Sequence, residues 1–150
     1  MLPVNKWGWY AWQGFYKELE QKLSLTAWDY VSNPAGGFLG AWWHFTKILE
    51  GEMYLQFEES KLCFKVYYDG DGDHSEFRWK WHNKLILTAE SMGHPEIVKP
   101  ARFGAGYYMT IAVVESDHLF GTDKVNLDNL ITILKEYQNV VDVCCKSENE

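Results

Sequence analysis

The sequence predicts a single α+β domain in which helices pack on one mixed sheet. The chain has 150 residues, of which 47% are hydrophobic and 23% charged, as in one ordinary globular domain. Its apolar residues recur with a period of 3.6 in some segments and of 2 in others, which gives the element order α-β-β-β-α-β-α. We assign residues 1–143 to this domain and residues 144–150 to a polar, mobile tail.

The first half of the chain is predicted to form one helix and a three-stranded meander. Apolar residues between 7 and 24 recur every three or four positions, which predicts the helix. Residues 32–37 include Pro34 and two glycines, which predicts a chain reversal. The segments 38–49, 53–58 and 62–68 are continuously apolar or alternate, and therefore predict three strands.

The second half is predicted to form two helices around a fourth strand. Asp73, followed three positions later by Glu76, is typical of a helix N-cap and predicts a helix that ends at about Glu90. Residues 107–114 favour a strand, and the apolar spacing over 127–141 favours the last helix. Because the helix that begins after Asp73 can act as a right-handed crossover, we expect the fourth strand to lie parallel to a neighbour.

Charge and cysteine usage exclude several classes of function. The net charge of −7 has the wrong sign for extended binding to a nucleic-acid duplex. Cys63, Cys144 and Cys145 are odd in number and lack C-x-x-C spacing, which favours a reducing cytoplasm. No apolar run approaches the roughly 18 residues of a membrane span, so we expect a cytoplasmic protein that does not bind a membrane.

Aromatic residues are unusually frequent, with 8 Trp, 9 Tyr and 8 Phe. Since one small core does not need so many rings, some are expected to reach a groove or interface. Trp42 and Trp43 are strand neighbours and face opposite ways, so one of them can line such a groove. The predicted ligand-binding residues are Trp42, Trp43, His44, Lys99, Arg102, Phe103, Tyr107 and Tyr108. They suit a flipped base, a nucleotide or a peptide side chain, and the alternative is simple packing beneath the helices.

Metal chemistry finds little support in the sequence. Asp69, Asp71 and Asp73 match the first ligand positions of an EF-hand loop, but His74 stands where glycine is needed and Lys80 where a bidentate glutamate is needed. The histidines show no i, i+4 pair with a glutamate between them. We therefore expect no metal and no cofactor.

A nuclease is the enzymatic alternative. The order α-β-β-β-α-β is also the core order of the PD-(D/E)XK nucleases, in which two acids hold Mg²⁺ and a lysine supports the attacking water. Glu58 or Glu59 with Lys65 or Lys61 would supply these groups. Cys63 stands where the second acid is expected, and a thiol is a poor ligand for Mg²⁺.

Four stretches of the chain carry a resemblance to a known family. They are residues 28–38 (WDYVSNPAGGF), 54–58 (YLQFE), 61–65 (KLCFK) and 99–104 (KPARFG) on through 109–110 (MT). Over roughly residues 7–140, the chain resembles the C-terminal region of bacterial proteins of the PD-(D/E)XK nuclease superfamily. Because the nuclease motifs of such proteins lie in a preceding domain, the resemblance implies an accessory recognition module, and no catalytic residue carries over.

We therefore expect a non-catalytic module that recognises a partner protein or a nucleic-acid element in a bacterial or phage defence setting, as a monomer or a homodimer. The first alternative is the diverged Mg²⁺-dependent nuclease. The second is a small inhibitor that sequesters a nucleotide or an enzyme through its aromatic surface.

Overall fold

The computed structural model describes residues 4–34, 36–121 and 125–149, and they form one α+β domain. After a short 3-10 turn at Val4–Lys6, the elements in chain order are α1 (Trp9–Leu23), β1 (Ala27–Val31), β2 (Phe38–Ile48), β3 (Gly51–Glu58), β4 (Lys61–Tyr68), α2 (His74–Ser91), β5 (Tyr108–Val114), α3 (Ser116–Phe120) and α4 (Leu127–Asn149). The predicted fold class is confirmed. Within the described residues no helix has both the length and the apolar character needed to cross a bilayer.

The five strands lie in the order β1-β2-β3-β4-β5, and every neighbouring pair is antiparallel. The predicted mixed sheet is therefore wrong. Helix α2 carries the chain about 27 Å away from the end of β4, and an extended segment then brings it back along the sheet edge, where Val98 pairs with Val113. Strand β5 consequently starts beside the end of β4, and the N–H of Tyr68 donates to the carbonyl of Tyr107 over 2.9 Å.

Two short elements were not predicted. Strand β1 precedes the expected reversal at residues 32–37, but only Trp28 and Val31 in it are half-buried, so the strand shows no clear alternation. Helix α3 has five residues, too few to show a helical period.

The predicted polar tail is wrong at its start. Helix α4 continues through Asn149, and both Cys144 and Cys145 are buried. Together with Tyr137 and Val141, Cys144 extends the apolar stripe of the helix at spacings of four and three, because cysteine packs as a small apolar residue.

The helices all pack on one face of the sheet. Phe57 contacts the rings of Phe15 and Tyr16 on α1, and Phe64 contacts Tyr137 on α4. Because successive side chains of a strand alternate, the residues between these point to the opposite face, which we call the far face. It carries Trp42, Tyr54, Gln56, Cys63, Lys65, Tyr67, Tyr108 and Thr110.

Candidate functional site

A cleft of about 240 Å³ opens on the far face where β4 and β5 meet the loop that leads into β5. It is lined by Lys65, Arg102, Gly104, Ala105, Tyr108, Met109 and Thr110, and we call it the Arg102 cleft. The lining residues supply two cations and no carboxylate. Two of the predicted ligand-binding residues, Arg102 and Tyr108, thus meet here beside Lys65.

Tyr108, which lines this cleft, stands next to a second tyrosine. Tyr67 on β4 lies opposite Tyr108 on β5, with ring centroids 4.9 Å apart and planes inclined by 35°. The Tyr108 side chain is 66% exposed, so its ring is available to a flat ligand. Desolvation and the Asp69 carboxylate raise the pKa of the Tyr67 hydroxyl above its ordinary value.

The loop beside the cleft is held from beneath by α2. Nη1 of Arg78 donates to the carbonyls of Phe103, at 2.6 Å, and of Gly104. The guanidinium also lies 4.0 Å from the centre of the Phe103 ring. One turn earlier in the helix, Nδ1 of His74 lies 2.7 Å from the carbonyl oxygen of Gly106, so this nitrogen carries the proton.

Lys99 and Phe103 belong to a second aromatic cluster, on the α2 side of the loop. The Lys99 ammonium lies 5.1 Å from the ring centres of both Trp79 and Phe103, at a cation–π distance. The two rings meet edge to face at 4.7 Å. Tyr107, which is exposed, also lies on this side, 5.5 Å from the His74 ring.

The structure places the remaining aromatic candidates away from the cleft. Trp42 lies on the far face, where its indole N–H donates to Gln56 Oε1 over 2.6 Å. Trp43 is 1% exposed because it packs between the sheet and α4, so its predicted place in a groove is wrong. His44 has a left-handed φ of 60° at the β2 bulge, and its Nε2 lies 2.7 Å from Asp142 Oδ1.

The four residues of the nuclease alternative supply one acid–lysine contact but no pair of acids arranged to hold a metal ion. Glu58 lies 3.5 Å from the Lys61 ammonium, whereas the Glu59 carboxylate lies in the β3–β4 turn and accepts the N–H of Leu39. Lys65 is four residues beyond Lys61, or about 13 Å along β4. Among residues 4–34, 36–121 and 125–149, no group of three His, Cys, Asp or Glu side chains is arranged to hold a metal ion.

Sequence reasoning missed the contributions of Tyr67, Trp79 and Arg78. The alternation along β4 could have placed Tyr67 beside Lys65 on the face away from the core, since their neighbours are apolar. Trp79 is a large apolar residue at a position of α2 that is 42% exposed. For Arg78 no local signal existed, because its burial depends on a loop 25 residues away.

A larger apolar groove of about 370 Å³ lies between α1 and the start of α4. It is lined by Trp7, Tyr10, Ala11, Gly14, Phe15, Glu18, Val125 and Leu127. The lining offers apolar area and a single carboxylate, Glu18, and therefore supplies no cation to an anionic ligand.

Comparisons with protein-family models, with curated proteins and with solved structures found no match to this chain. The resemblance to the accessory region of PD-(D/E)XK proteins therefore stays a prediction.

Proposed function

We propose that this chain is a recognition module without its own catalysis, and that it binds a short single-stranded nucleic-acid element at the Arg102 cleft. One observation carries the proposal: the exposed Tyr108, which packs on the half-buried Tyr67, meets two cations at a cleft whose lining contains no acid. The combination suits a flat ring joined to an anion, which is the chemistry of a nucleotide.

The tyrosine pair supplies a stacking surface. Every base has a π-face, so stacking on an aromatic side chain tolerates any sequence, and it contributes about 1–3 kcal/mol per base. Tyr108 presents its ring to solvent, and Tyr67 supports it from the neighbouring strand. A base laid on Tyr108 would place its sugar and phosphate beside Lys65 and Arg102.

The two cations at the cleft have no competing carboxylate. Within the described part of the chain, neither Lys65 nor Arg102 forms an ion pair. Each is therefore available to a phosphate without first breaking a salt bridge, and the Arg102 guanidinium can bind two phosphate oxygens at once.

The overall charge limits the length of the ligand. A chain with a net charge of −7 repels a long polyanion, so only the nucleotides that reach the cleft contribute to binding. The cleft volume of about 240 Å³ is below that of a complete small-molecule pocket, which fits one ring or one phosphate of a longer ligand. A bacterial or phage defence setting would suit such a module and remains part of the proposal.

Fluorescence anisotropy with labelled eight-nucleotide DNA and RNA strands tests this function. We expect single strands to bind more tightly than a duplex of the same sequence. Tyr108→Ala should weaken binding about tenfold, the equivalent of about 1.4 kcal/mol. If two phosphates are neutralised, a plot of the logarithm of the association constant against the logarithm of the salt concentration should have a slope of about −1.4.

Matched variants on α1 serve as controls. Tyr10→Ala removes a ring that is 86% exposed, and Lys17→Ala removes an exposed cation, both outside the cleft. Neither should change the affinity. If no strand binds at low salt, or if Tyr108→Ala and Tyr10→Ala behave alike, the nucleic-acid function is wrong. A protein partner whose binding depends on Tyr108 would then take its place.

A further inference from the structure

We infer that the loop of residues 103–107 forms a phosphate-binding subsite, in which the backbone N–H groups of Gly104 and Ala105 receive the anion between the Lys65 and Arg102 side chains. This inference rests on the proposed function in one respect, because it assigns the site to a phosphate of the bound strand. The direction of the loop's peptide groups carries this inference.

The loop carbonyls point into the protein. Those of Phe103 and Gly104 accept hydrogen bonds from Arg78, and that of Gly106 accepts one from His74. In a trans peptide the N–H points opposite to the carbonyl of the same unit. The N–H groups of Gly104, Ala105 and Tyr107 therefore point outward, away from α2.

These N–H groups are accessible from the cleft. Gly104 and Ala105 line it directly, and in the described part of the chain neither N–H donates to another backbone group. A Cβ built on Gly104 would meet no heavy atom within 4 Å, so the space on the side-chain side of this residue is open. Successive outward N–H groups of this kind form a concave site for an anion.

A buried positive charge lies beneath the same loop. Arg78 is 7% exposed, its Nε has no hydrogen-bond partner, and no described carboxylate lies within ion-pair distance of it. The carbonyl dipoles and the Phe103 ring solvate the guanidinium but do not neutralise it. Its field therefore favours an anion on the outer side of the loop, where Lys65 and Arg102 add two more positive charges.

Arg78 is accordingly a positioning residue and not a ligand of the anion. It contacts only the inner side of the loop, through the carbonyls that fix the peptide orientation. Lys65 and Arg102 would contact the anion itself, because their side chains line the cleft.

The test is a titration of the ¹⁵N-labelled chain with inorganic pyrophosphate, with sodium chloride at matched ionic strength as the reference. We expect the amide signals of Gly104 and Ala105 to shift and saturate below about 10 mM, the range of a weak single-anion site. The amide of Gly14, which lies on α1, should not move. Lys65→Ala and Arg102→Ala should each weaken the apparent affinity at least about fivefold, whereas Lys17→Ala should not.

Two outcomes would overturn the subsite: no saturable shift at Gly104 and Ala105, or shifts that chloride reproduces. The same titration with the eight-nucleotide strand separates the two proposals. If the strand binds at Tyr108 without moving the two amides, the subsite fails and the proposed function stands. If pyrophosphate moves them and no strand binds, the subsite stands for a free phosphate compound and the proposed function fails.

Discussion

The indole N–H of Trp43 donates a hydrogen bond of 2.9 Å to Oε1 of Gln138 and so joins β2 to α4 across 95 positions of the chain. The same ring stacks on Phe57, with centroids 5.6 Å apart. The neighbouring Trp42 points to the far face and donates to Gln56. Two adjacent tryptophans therefore have different roles, one in the core and one on the surface.

Replacing these tryptophans should have unequal effects on stability. Trp43→Ala leaves a large cavity and an unpaired Gln138 amide, and should lower the free energy of unfolding by about 3–5 kcal/mol. Trp42→Ala removes a half-buried ring, so we expect a clearly smaller loss. Urea unfolding of both variants measures the difference. Equal losses would show that the side chains do not divide between the two faces.

The N-cap of α2 should contribute measurably to stability. Asp73 Oδ1 accepts the N–H of Glu76 over 3.1 Å, as the sequence pattern predicted. Asp73→Ala should cost about 1 kcal/mol, while Asp73→Asn should cost much less because the amide oxygen can also cap. Asp71→Ala is the control, since its exposed side chain lies outside the helix. A melting temperature lowered as much by Asp71→Ala would contradict the assignment.

Glu96 should make the protein more sensitive to acid. Burial raises the pKa of this carboxyl, but hydrogen bonds from its own backbone, from Tyr137 and from His94 outweigh burial and lower the pKa. Because the folded pKa lies below the unfolded one, the stabilisation is present at neutral pH and is lost as the pH falls below the usual glutamate range of about 4.3.

Urea unfolding between neutral pH and about pH 3 tests this statement. We expect Glu96→Gln to be less stable than the natural chain at neutral pH, and the difference to shrink as the carboxyl protonates. A difference that stays constant with pH would mean that the carboxylate charge of Glu96 does not stabilise the fold.

The cysteines should be unreactive in the folded chain. Burial raises the pKa of the Cys63 and Cys145 thiols to about 12, and Cys144 is fully enclosed. Since the thiolate is the reactive form, a thiol reagent at pH 8 should modify all three only when the chain unfolds. Their rates should therefore coincide and rise together with urea. Fast modification of any one of them in buffer would contradict the burial of that residue.

The sequence predicted the meander and the three long helices because their signals are local. Strands β3 and β4 alternate between core and far-face residues, and α2 has a cap formed by two residues three positions apart, Asp73 and Glu76. The direction of β5 depends instead on the segment after α2, which returns along the sheet edge. The residues of that segment show no periodic apolar pattern. The sequence therefore could not distinguish an antiparallel β5 from a parallel one.

The candidate site was predictable only in part for the same reason. Arg102 and Tyr108 stood out as a cation and a ring close together in the chain, and the structure does place them at one cleft. Pairing of β4 with β5 brings Lys65 to that cleft and places Tyr67 beside Tyr108. The buried Arg78 depends on a contact between α2 and a distant loop, which no spacing in the sequence reports.

Recognition without cleavage can be tested most directly by electrophoresis of a labelled single strand. The strand is incubated with excess protein and Mg²⁺, and the mixture is divided in two. One half is run on a native gel and the other half on a denaturing gel. We predict a retarded band on the native gel and an intact strand on the denaturing gel, with retardation lost in Arg102→Ala. Mg²⁺-dependent cleavage that disappears in both Glu58→Ala and Lys65→Ala would contradict the account and establish a nuclease.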